Sequence, residues 1–279
     1  MSMIAAIPSP SFNSIPLGPF NLRLYGLAIA AGVLVAVWIA ERRYQALGGQ
    51  AGVVQRMAGW VIPSGIVGAR LYHVLTDFDR FDGNLAAIPQ VWKGGLGIWG
   101  GVIGGTIGAL ILLKKEGEDI PGMFHATAAA IPIGQAIGRL GNWFNQELFG
   151  RPSELPWALE IELSHRPERY LNSATFHPTF LYEAIWNLCV AAFIVFIAPK
   201  MFTTLRKGYM WAVYVLGYTL GRLWIELLRS DDATEIFGLR INIWTCLIVI
   251  SISCGTIIYQ STKDPKGHRN PSDIVPHLK

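Results

Sequence analysis

The sequence carries little charge for its length. Only 15% of its 279 residues are Asp, Glu, Lys or Arg, whereas 52% are hydrophobic. A soluble domain of this size needs more charge to cover its surface. Three stretches contain no charged residue at all, and they are 24–40, 94–113 and 241–262. Because each approaches the roughly 20 residues of a bilayer-crossing helix, the missing charge predicts an integral membrane protein.

Cysteine is also scarce, and clustered metal ligands are missing. Cys189, Cys246 and Cys254 lie inside apolar runs without a CxxC pair, so we interpret them as packing residues rather than a disulfide framework. No metal and no cofactor is expected. The N-terminus has no basic segment of the kind that opens a cleavable signal peptide. Residues 1–21 are therefore predicted to be an external arm before the first span.

The apolar segments predict an all-α polytopic membrane protein with about seven transmembrane helices. The predicted spans are 22–41, 55–75, 96–113, 122–141, 179–198, 209–228 and 241–261. They define a membrane domain over 22–262, with a small external head of short strands or helices at 142–178, between spans four and five. A polar cytoplasmic tail follows at 263–279.

Basic residues indicate the orientation of these spans. One set of short loops and flanks carries twelve of the 23 basic residues, and its members are Arg42, Arg43, Arg56, Lys114, Lys115, Lys200, Arg206, Lys207, Lys263, Lys266, Arg269 and Lys279. The opposite set is smaller, and its members are Arg23, Arg80, Lys93, Arg151, Arg166, Arg169, Arg229 and Arg240. The positive-inside rule then places the N-terminus outside and the C-terminus inside. The formal net charge of +4 is explained by orientation, so nucleic acid is not an expected partner.

Glycine is abundant in the third span, where Gly97, Gly101 and Gly105 recur at a spacing of four with Gly100, Gly104 and Gly108 beside them. Small residues at this spacing let two helices approach closely in lipid. Residues 95–100 also match the nucleotide-binding pattern GxGxxG. We reject that interpretation because no soluble strand precedes the glycines, which lie within an apolar run of membrane length.

Three arginines interrupt apolar spans, and each insertion costs roughly 2.5–3.5 kcal/mol at the centre of a span. They are Arg70, Arg139 and Arg222, each in the C-terminal part of a span that runs outward. All three are therefore predicted to lie toward the outer leaflet. The alternative is that an arginine only extends to the headgroups, and for Arg70 this structural reading stays open.

Other polar residues are predicted at the same level of the bilayer. Tyr218, Arg222 and Glu226 follow helical spacing and share one face, where Glu226 is either part of a site or only the counter-ion of Arg222. His177 precedes a proline and is either functional or a cap of span five. Tyr25 is either functional or an interfacial aromatic residue.

Arginines near the outer leaflet favour an anionic ligand, above all phosphate, which a guanidinium holds through two bonds. Such a site binds, moves or reacts with a phospholipid. A transporter or flippase for an anionic lipid is the alternative to an enzyme, although no repeat between the two halves is visible. An intramembrane protease is disfavoured, because no GxSxG motif lies in a span and aspartates are confined to loops and tail.

Three motifs resemble those of the prolipoprotein diacylglyceryl transferases. Residues 138–150 read GRLGNWFNQELFG, similar to the family signature GRxGNFxNxExxG. Residues 177–183 read HPTFLYE and resemble HPxxLYE, while residues 218–229 resemble YxxxRxxxExxR. Residues 24–27 and 94–97 resemble the landmarks of the first and third spans. The resemblance covers most of the chain in order, and that family has seven spans with the N-terminus outside.

The resemblance implies a reaction on phosphatidylglycerol. Its diacylglyceryl group would move to the lipobox cysteine thiol of a prolipoprotein signal peptide, forming a thioether and releasing glycerol 1-phosphate. The enzyme would then lie in the bacterial cytoplasmic membrane, with its active site toward the outer leaflet. Phosphatidylglycerol, other membrane lipid and prolipoproteins are the implied partners.

The resemblance also suggests a role for each candidate residue. Arg139 and Arg222 would hold the phosphate and stabilise the leaving charge. Asn142 and Glu147 would orient the lipid or an arginine, Tyr25 and Tyr218 would bond the phosphate or headgroup, and Glu226 would position Arg222. Of these, Arg139, Arg222, Tyr25 and Glu147 are the predicted catalytic residues. The predicted phosphatidylglycerol-binding residues are Arg139, Asn142, Tyr218, Arg222, Glu226, Arg70 and His177.

One position departs from the family pattern. Many members carry a histidine in the third span, proposed as the base, where this chain has Trp99. Tryptophan cannot accept a proton. Either another group deprotonates the thiol, with His73, His177 and Glu147 as candidates, or nearby arginines lower its pKa enough without a dedicated base.

Overall fold

A computed structural model describes residues 6–18, 20–202, 208–230 and 234–263. Most of these residues are helical, as the apolar segments predict. The cytoplasmic tail predicted at 263–279 lies outside the described residues except for Lys263. Residues 1–5 of the predicted arm, and the basic residues Arg206 and Lys207, lie outside them as well.

The described helices overlap the segments predicted as spans, although their bounds differ by several residues in places. They are α1 (Leu24–Ala46), α2 (Val53–Thr76), α3 (Ile98–Glu116), α4 (Ile120–Asn145), α5 (Thr179–Ala192), a short α6 (Ala198–Met201), α7 (Met210–Leu228) and α8 (Ile241–Lys263). A π-helical segment, Phe193–Ile197, joins α5 to α6, so that the three run as one rod. Short 3₁₀ helices fill the α2–α3 connection.

Four helical segments of the described chain are long and apolar enough to cross a membrane, judged by length and composition. They are Leu24–Ala46, Ile98–Glu116, Thr179–Met201 and Ile241–Thr262. The other long helices, α2, α4 and α7, carry Arg70, Arg139 and Arg222. The helices that fall short of a simple membrane span are thus those with an arginine in their C-terminal part.

The chain divides into two compact units. The first comprises Met1–Ile39 and Phe124–Lys279, and the second comprises Ala40–Met123. The division falls within α1 and near the start of α4.

In the second unit, glycines bring α2 and α3 close together. A Cβ on Gly100 would overlap the carbonyl oxygen of Gly68, and a Cβ on Gly104 would lie 3.0 Å from the Cα of Gly68. Only residues without a side chain permit this backbone approach. The prediction that the glycines of the third span serve helix packing is confirmed.

In the first unit, the core lies between α4 and the α5–α7 pair. Ala128 and Ala129 of α4 are fully buried against Ile194 and Tyr214. The helices α1 and α4 cross at another glycine pair, because a Cβ on Gly134 would lie 2.7 Å from the carbonyl oxygen of Gly32. The small residues of α4 thus allow neighbouring helices to pack closely on it.

The segment between α4 and α5 folds around its own small apolar core. Strands β3 (Leu159–Glu160) and β4 (Thr175–Phe176) pair antiparallel, and Phe176, Leu159 and Ile161 are almost completely buried. Ile7 of the N-terminal arm adds a parallel bridge to Leu159. Two further hairpins flank the first and last helices, β1 (Ser14–Leu17) with β2 (Phe20–Arg23) and β5 (Glu235–Ile236) with β6 (Leu239–Arg240).

Candidate active site

Five charged side chains of the first unit form a continuous series of ion pairs, which we name the ion-pair ladder. Nη2 of Arg139, on α4, lies 2.5 Å from Oε2 of Glu183, on α5. Oε1 of Glu183 lies 3.4 Å from Nη1 of Arg222, on α7. Nη2 of Arg222 lies 2.7 Å from Oε2 of Glu226, and Nε of Arg240 lies 2.7 Å from its Oε1. The two arginines predicted to share a phosphate therefore meet at one carboxylate.

Burial differs between the two signs of charge in the ladder. The side chains of Glu183 and Glu226 are 8% and 0% exposed, whereas those of Arg139 and Arg222 are 22% and 19% exposed. Among the described residues, Nε and Nη1 of Arg139 contact no protein acceptor. The five side chains carry one positive charge in excess. The ladder thus presents unused guanidinium donors, which suit an anion.

A glycine next to Arg222 lets α7 approach α5. A Cβ on Gly221 would overlap the indole ring of Trp186, whose Nε1 donates to the carbonyl of Gly217 at 2.8 Å. The indole therefore packs directly on the backbone of α7. Because Glu183 lies one turn before Trp186 on α5, the same contact brings Glu183 to Arg222.

The signature loop after α4 holds Asn142 and Glu147 together. Nδ2 of the buried Asn142 donates to Oε1 of Glu147 at 3.0 Å, and Nδ2 of Asn145 donates to the same oxygen at 3.1 Å. Gln146 and Leu148, on either side of Glu147, have positive φ angles of 50° and 57°. Such left-handed backbone is unfavourable for residues other than glycine, and often marks a functional site.

The amide of Gln146 ties this loop to its surroundings. Nε2 donates to the carbonyl of Pro10 in the N-terminal arm at 3.1 Å, and Oε1 accepts from the backbone N–H of Glu162 at 2.9 Å. Nε1 of Trp143 donates to the carbonyl of Pro8 at 3.1 Å. The strained conformation around Glu147 is thus held by hydrogen bonds on two sides.

His177 lies immediately before α5 and close to Tyr182. Its Nδ1 is 3.3 Å from the hydroxyl of Tyr182, which accepts a hydrogen bond from Nε1 of Trp157 at 2.9 Å. Partial burial lowers the pKa of His177 below its usual value, because burial disfavours the charged ring. The backbone N–H of Gly150 donates to the carbonyl of His177 at 2.9 Å.

The two predicted tyrosines lie on different helices of the first unit, Tyr25 on α1 and Tyr218 on α7. The ring of Tyr25 packs against Gly141 of the signature, where an added Cβ would lie 2.8 Å from the ring. Tyr218 lies on α7 one turn before Arg222, with its ring centroid 6.1 Å from that of Tyr214. Its hydroxyl has no hydrogen bond to any described residue. The first unit therefore contains all predicted site residues except Arg70.

Arg70 belongs to the second unit and has a different environment. Its Nη1 donates to the carbonyls of Gly94 and Gly95 at 2.7 and 3.0 Å. Its Nε donates to the carbonyl of Ile88 at 2.7 Å, and its Nη2 donates to the carbonyl of Ala87 at 2.8 Å. The side chain is buried and holds the α2–α3 connection in place. This geometry favours the structural alternative for Arg70 over a contact with phospholipid.

Trp99, which stands at the position of the family's histidine, and His73, a candidate base for the thiol, also belong to the second unit. Trp99 lies in the first turn of α3 and is 51% exposed. Nδ1 of His73 lies 2.9 Å from Oδ2 of Asp77, and a Cβ on Gly95 would overlap its Nε2. Both ring nitrogens of His73 thus face other parts of the protein. Glu147, in contrast, has an oxygen, Oε2, that accepts no hydrogen bond from the described residues.

Sequence reasoning gave no role to three residues of the ladder region. Glu183 enters the sequence analysis only as the last residue of the HPTFLYE motif, and Arg240 only as a basic residue of the outer set. Asn242, whose Nδ2 donates to Oε1 of Glu226 at 3.1 Å, was not considered. A polar Arg–Ile–Asn sequence opening a charge-free span was the available signal, because polar groups there need a partner.

Known proteins match this chain along nearly its whole length. Residues 13–259 match the family described as prolipoprotein diacylglyceryl transferase. A Streptomyces coelicolor protein named phosphatidylglycerol–prolipoprotein diacylglyceryl transferase 2 is 44% identical, over 94% of this chain and 83% of the relative. Proteins of the same enzyme name from Streptomyces griseus and Cutibacterium acnes are 46% and 42% identical, over 94% and 96% of this chain and 80% and 90% of their own lengths.

Proposed function

Because the chain belongs to the prolipoprotein diacylglyceryl transferase family, we propose that it transfers the diacylglyceryl group of phosphatidylglycerol to a prolipoprotein thiol. The acceptor is the lipobox cysteine, which remains attached to its signal peptide. Family membership confirms the resemblance predicted from the motifs. The relatives' names refer to the same lipid and the same class of acceptor.

The observation that carries the proposal is the ion-pair ladder. Two arginines on different helices share Glu183, and Arg139 keeps donors that no described residue uses. A phosphodiester is an acceptor suited to such donors, since its oxygens bond a guanidinium at two points. In this role Arg139 and Arg222 bind the phosphate of the lipid.

The chemistry then follows from charge. The thiolate sulfur attacks the glycerol carbon that bears the phosphate, so a C–S bond forms while the C–O bond breaks. The bonding electrons leave with the oxygen, and glycerol 1-phosphate departs. Negative charge therefore grows on the phosphate group, where Arg139 and Arg222 are positioned to stabilise it.

The thiol must lose its proton to become a strong nucleophile. Glu147 is the candidate whose surroundings fit a proton acceptor best, because Oε1 is fixed by two asparagines while Oε2 is unused by the described residues. The excess positive charge of the ladder lowers the thiol pKa as well. The proton finally belongs to the released phosphate monoester or to solvent.

The proposed topology has seven spans, with the N-terminus outside and the C-terminus inside. The ladder then lies toward the outer leaflet, and the segment 142–178 forms an external head. The last turn of α3 carries Lys114 and Lys115, which lie on the opposite, cytoplasmic side in this topology. The enzyme resides in the bacterial plasma membrane, where phosphatidylglycerol and the exported lipobox meet.

The test is a transfer assay with purified protein in detergent. Diacylglyceryl-labelled phosphatidylglycerol and a lipobox peptide should yield a labelled thioether, and the same peptide with serine in place of cysteine should not. Absence of transfer, where the Streptomyces coelicolor relative is active, would refute the proposal. Lipid movement in liposomes without any peptide would instead indicate the alternative, a flippase for anionic lipid, which no observation favours.

A further inference from the structure

Arg240 occupies the end of the ladder that lies farthest from Arg139. Its Nε is 2.7 Å from Oε1 of Glu226, and the same oxygen accepts from Nδ2 of Asn242. The other oxygen of Glu226 faces Arg222. Because the Glu226 side chain is 0% exposed, its charge is shared between two arginines rather than screened by solvent.

A short hairpin fixes Arg240 in this place. Strands β5 and β6 are joined by Phe237 and Gly238, with φ angles of 52° and 75°, as a tight two-residue turn requires. The backbone N–H of Ile241 donates to the carbonyl of Thr234 at 2.9 Å. Nε1 of Trp244 donates to the carbonyl of Ile236 at 3.0 Å. The hairpin is thus tied to the first turn of α8, which Arg240 directly precedes.

The charge balance shows what Arg240 contributes. Without it, Arg139 and Arg222 would face Glu183 and Glu226 with no positive charge in excess. Oε1 of Glu226 would then keep only its hydrogen bond from Asn242 and would attract Arg222, because a guanidinium and a carboxylate favour a two-point contact. Arg222 would turn from Glu183 toward Glu226, and its donors would be withdrawn from a bound anion.

We propose that Arg240 is a positioning residue that acts through Glu226 to keep Arg222 oriented and available for the phosphate of phosphatidylglycerol. It does not itself touch the reacting atoms. This inference rests on the proposed function. It predicts that the charge of residue 240 matters because Glu226 is charged, and that the requirement disappears when Glu226 is neutral.

The test compares Arg240→Gln, Arg240→Lys and the double variant Arg240→Gln/Glu226→Gln in the transfer assay. Arg240→Gln should lower kcat/KM for phosphatidylglycerol about 10- to 100-fold, since small misplacements of a catalytic group have effects of this size. The KM for the lipobox peptide should stay unchanged. The double variant restores the excess positive charge and should be several-fold more active than Arg240→Gln. Arg240→Lys, which keeps the charge, should lie near the wild type.

A matched control is Arg56→Gln, which removes an arginine from an exposed pair with Glu116 in the second unit and should not alter kinetics. Wild-type kinetics for Arg240→Gln would overturn the inference, as would a double variant no more active than Arg240→Gln. If Arg240→Gln does not fold, the transfer activity of Arg240→Lys tests the inference instead. A loss of activity in Arg240→Lys as large as that in Arg222→Lys would show that the charge of residue 240 is not what matters, and would overturn the inference.

A second readout separates this inference from the proposed function. Phosphatidylglycerol added to phosphatidylcholine–detergent micelles should raise the Tm of the wild type, because a ligand that binds the folded state stabilises it. The increase should be smaller for Arg240→Gln and restored in the double variant. Absence of transfer by the wild type would refute the proposed function alone, while the Tm series would still decide whether Arg240 controls lipid binding.

Discussion

The two units accommodate the arginines of their helices in opposite ways. Arg70 directs all three guanidinium nitrogens to backbone carbonyls of its own unit, so no strong donor group is left for a ligand. Arg139 and Arg222 instead share the carboxylate of Glu183, and Arg139 retains unused donors. Carbonyls satisfy a guanidinium and fix a loop, whereas a shared carboxylate fixes its position but leaves it able to bind an anion.

The largest effect is expected for a substitution of Arg222 that removes its contact with Glu183, the carboxylate it shares with Arg139. In Arg222→Lys one ammonium replaces two nitrogens that face Glu183 and Glu226 separately. Transfer should fall by about 10²- to 10³-fold, as for the loss of a donor that stabilises developing charge. Arg139→Lys should be similarly impaired, because a point charge does not replace the planar fork.

The measurement for both substitutions is steady-state transfer, with the Tm as evidence of folding. Arg56→Lys is the matched control, since its partner Glu116 lies in an exposed pair. Near-normal turnover of both folded variants would remove Arg139 and Arg222 from the proposed site.

Glu147→Gln should have the next largest effect. The substitution keeps the size of the side chain but removes the carboxylate that accepts bonds from Asn142 and Asn145. A rate loss of about 10²-fold is expected if Glu147 takes the thiol proton, since general bases contribute this much or more. The check is the rate with a lipobox peptide whose thiol is already ionised at high pH, where the loss should shrink. Glu160→Gln, at an exposed position of β3, is the control, and equal losses at all pH values would contradict the role.

Arg70→Lys tests whether the arginine of the second unit stabilises the fold or binds the lipid. A lysine cannot reach four carbonyls, and bonds to charged groups contribute about 1.5–3 kcal/mol each. The Tm should therefore fall clearly, while the KM for phosphatidylglycerol of the folded protein stays unchanged. A raised KM with an unchanged Tm would instead show that Arg70 contacts the lipid.

Much of the fold was predictable because hydropathy reports which segments are apolar. The predicted spans 209–228 and 241–261 agree with α7 and α8 almost to the residue. The span predicted at 22–41 ends too early, since α1 continues to Ala46. A polar helical turn beyond an apolar run has no hydropathy signal, although backbone hydrogen bonding favours its continuation.

The site was predictable only where its contacts are local. Arg222 and Glu226 are four residues apart on one helix, and their pairing follows from spacing alone. Glu183 and Arg240 join the same ladder across 39 and 14 residues of sequence, between different elements. Such pairing depends on which helices pack together, and this is set by contacts such as that of Trp186 with Gly221.

The smallest effect is expected for Trp99→His, which restores the histidine of many relatives. A missing general base would typically be worth about 10²–10⁴-fold in rate. We expect a change of less than about threefold and an unshifted pH profile, because the first unit already holds an unused carboxylate oxygen on Glu147 and an excess of positive charge. The measurement is the pH dependence of transfer for the wild type, Trp99→His and Trp99→Phe. A faster, pH-shifted reaction for histidine but not for phenylalanine would show that α3, and not the signature loop, is where the thiol proton is lost.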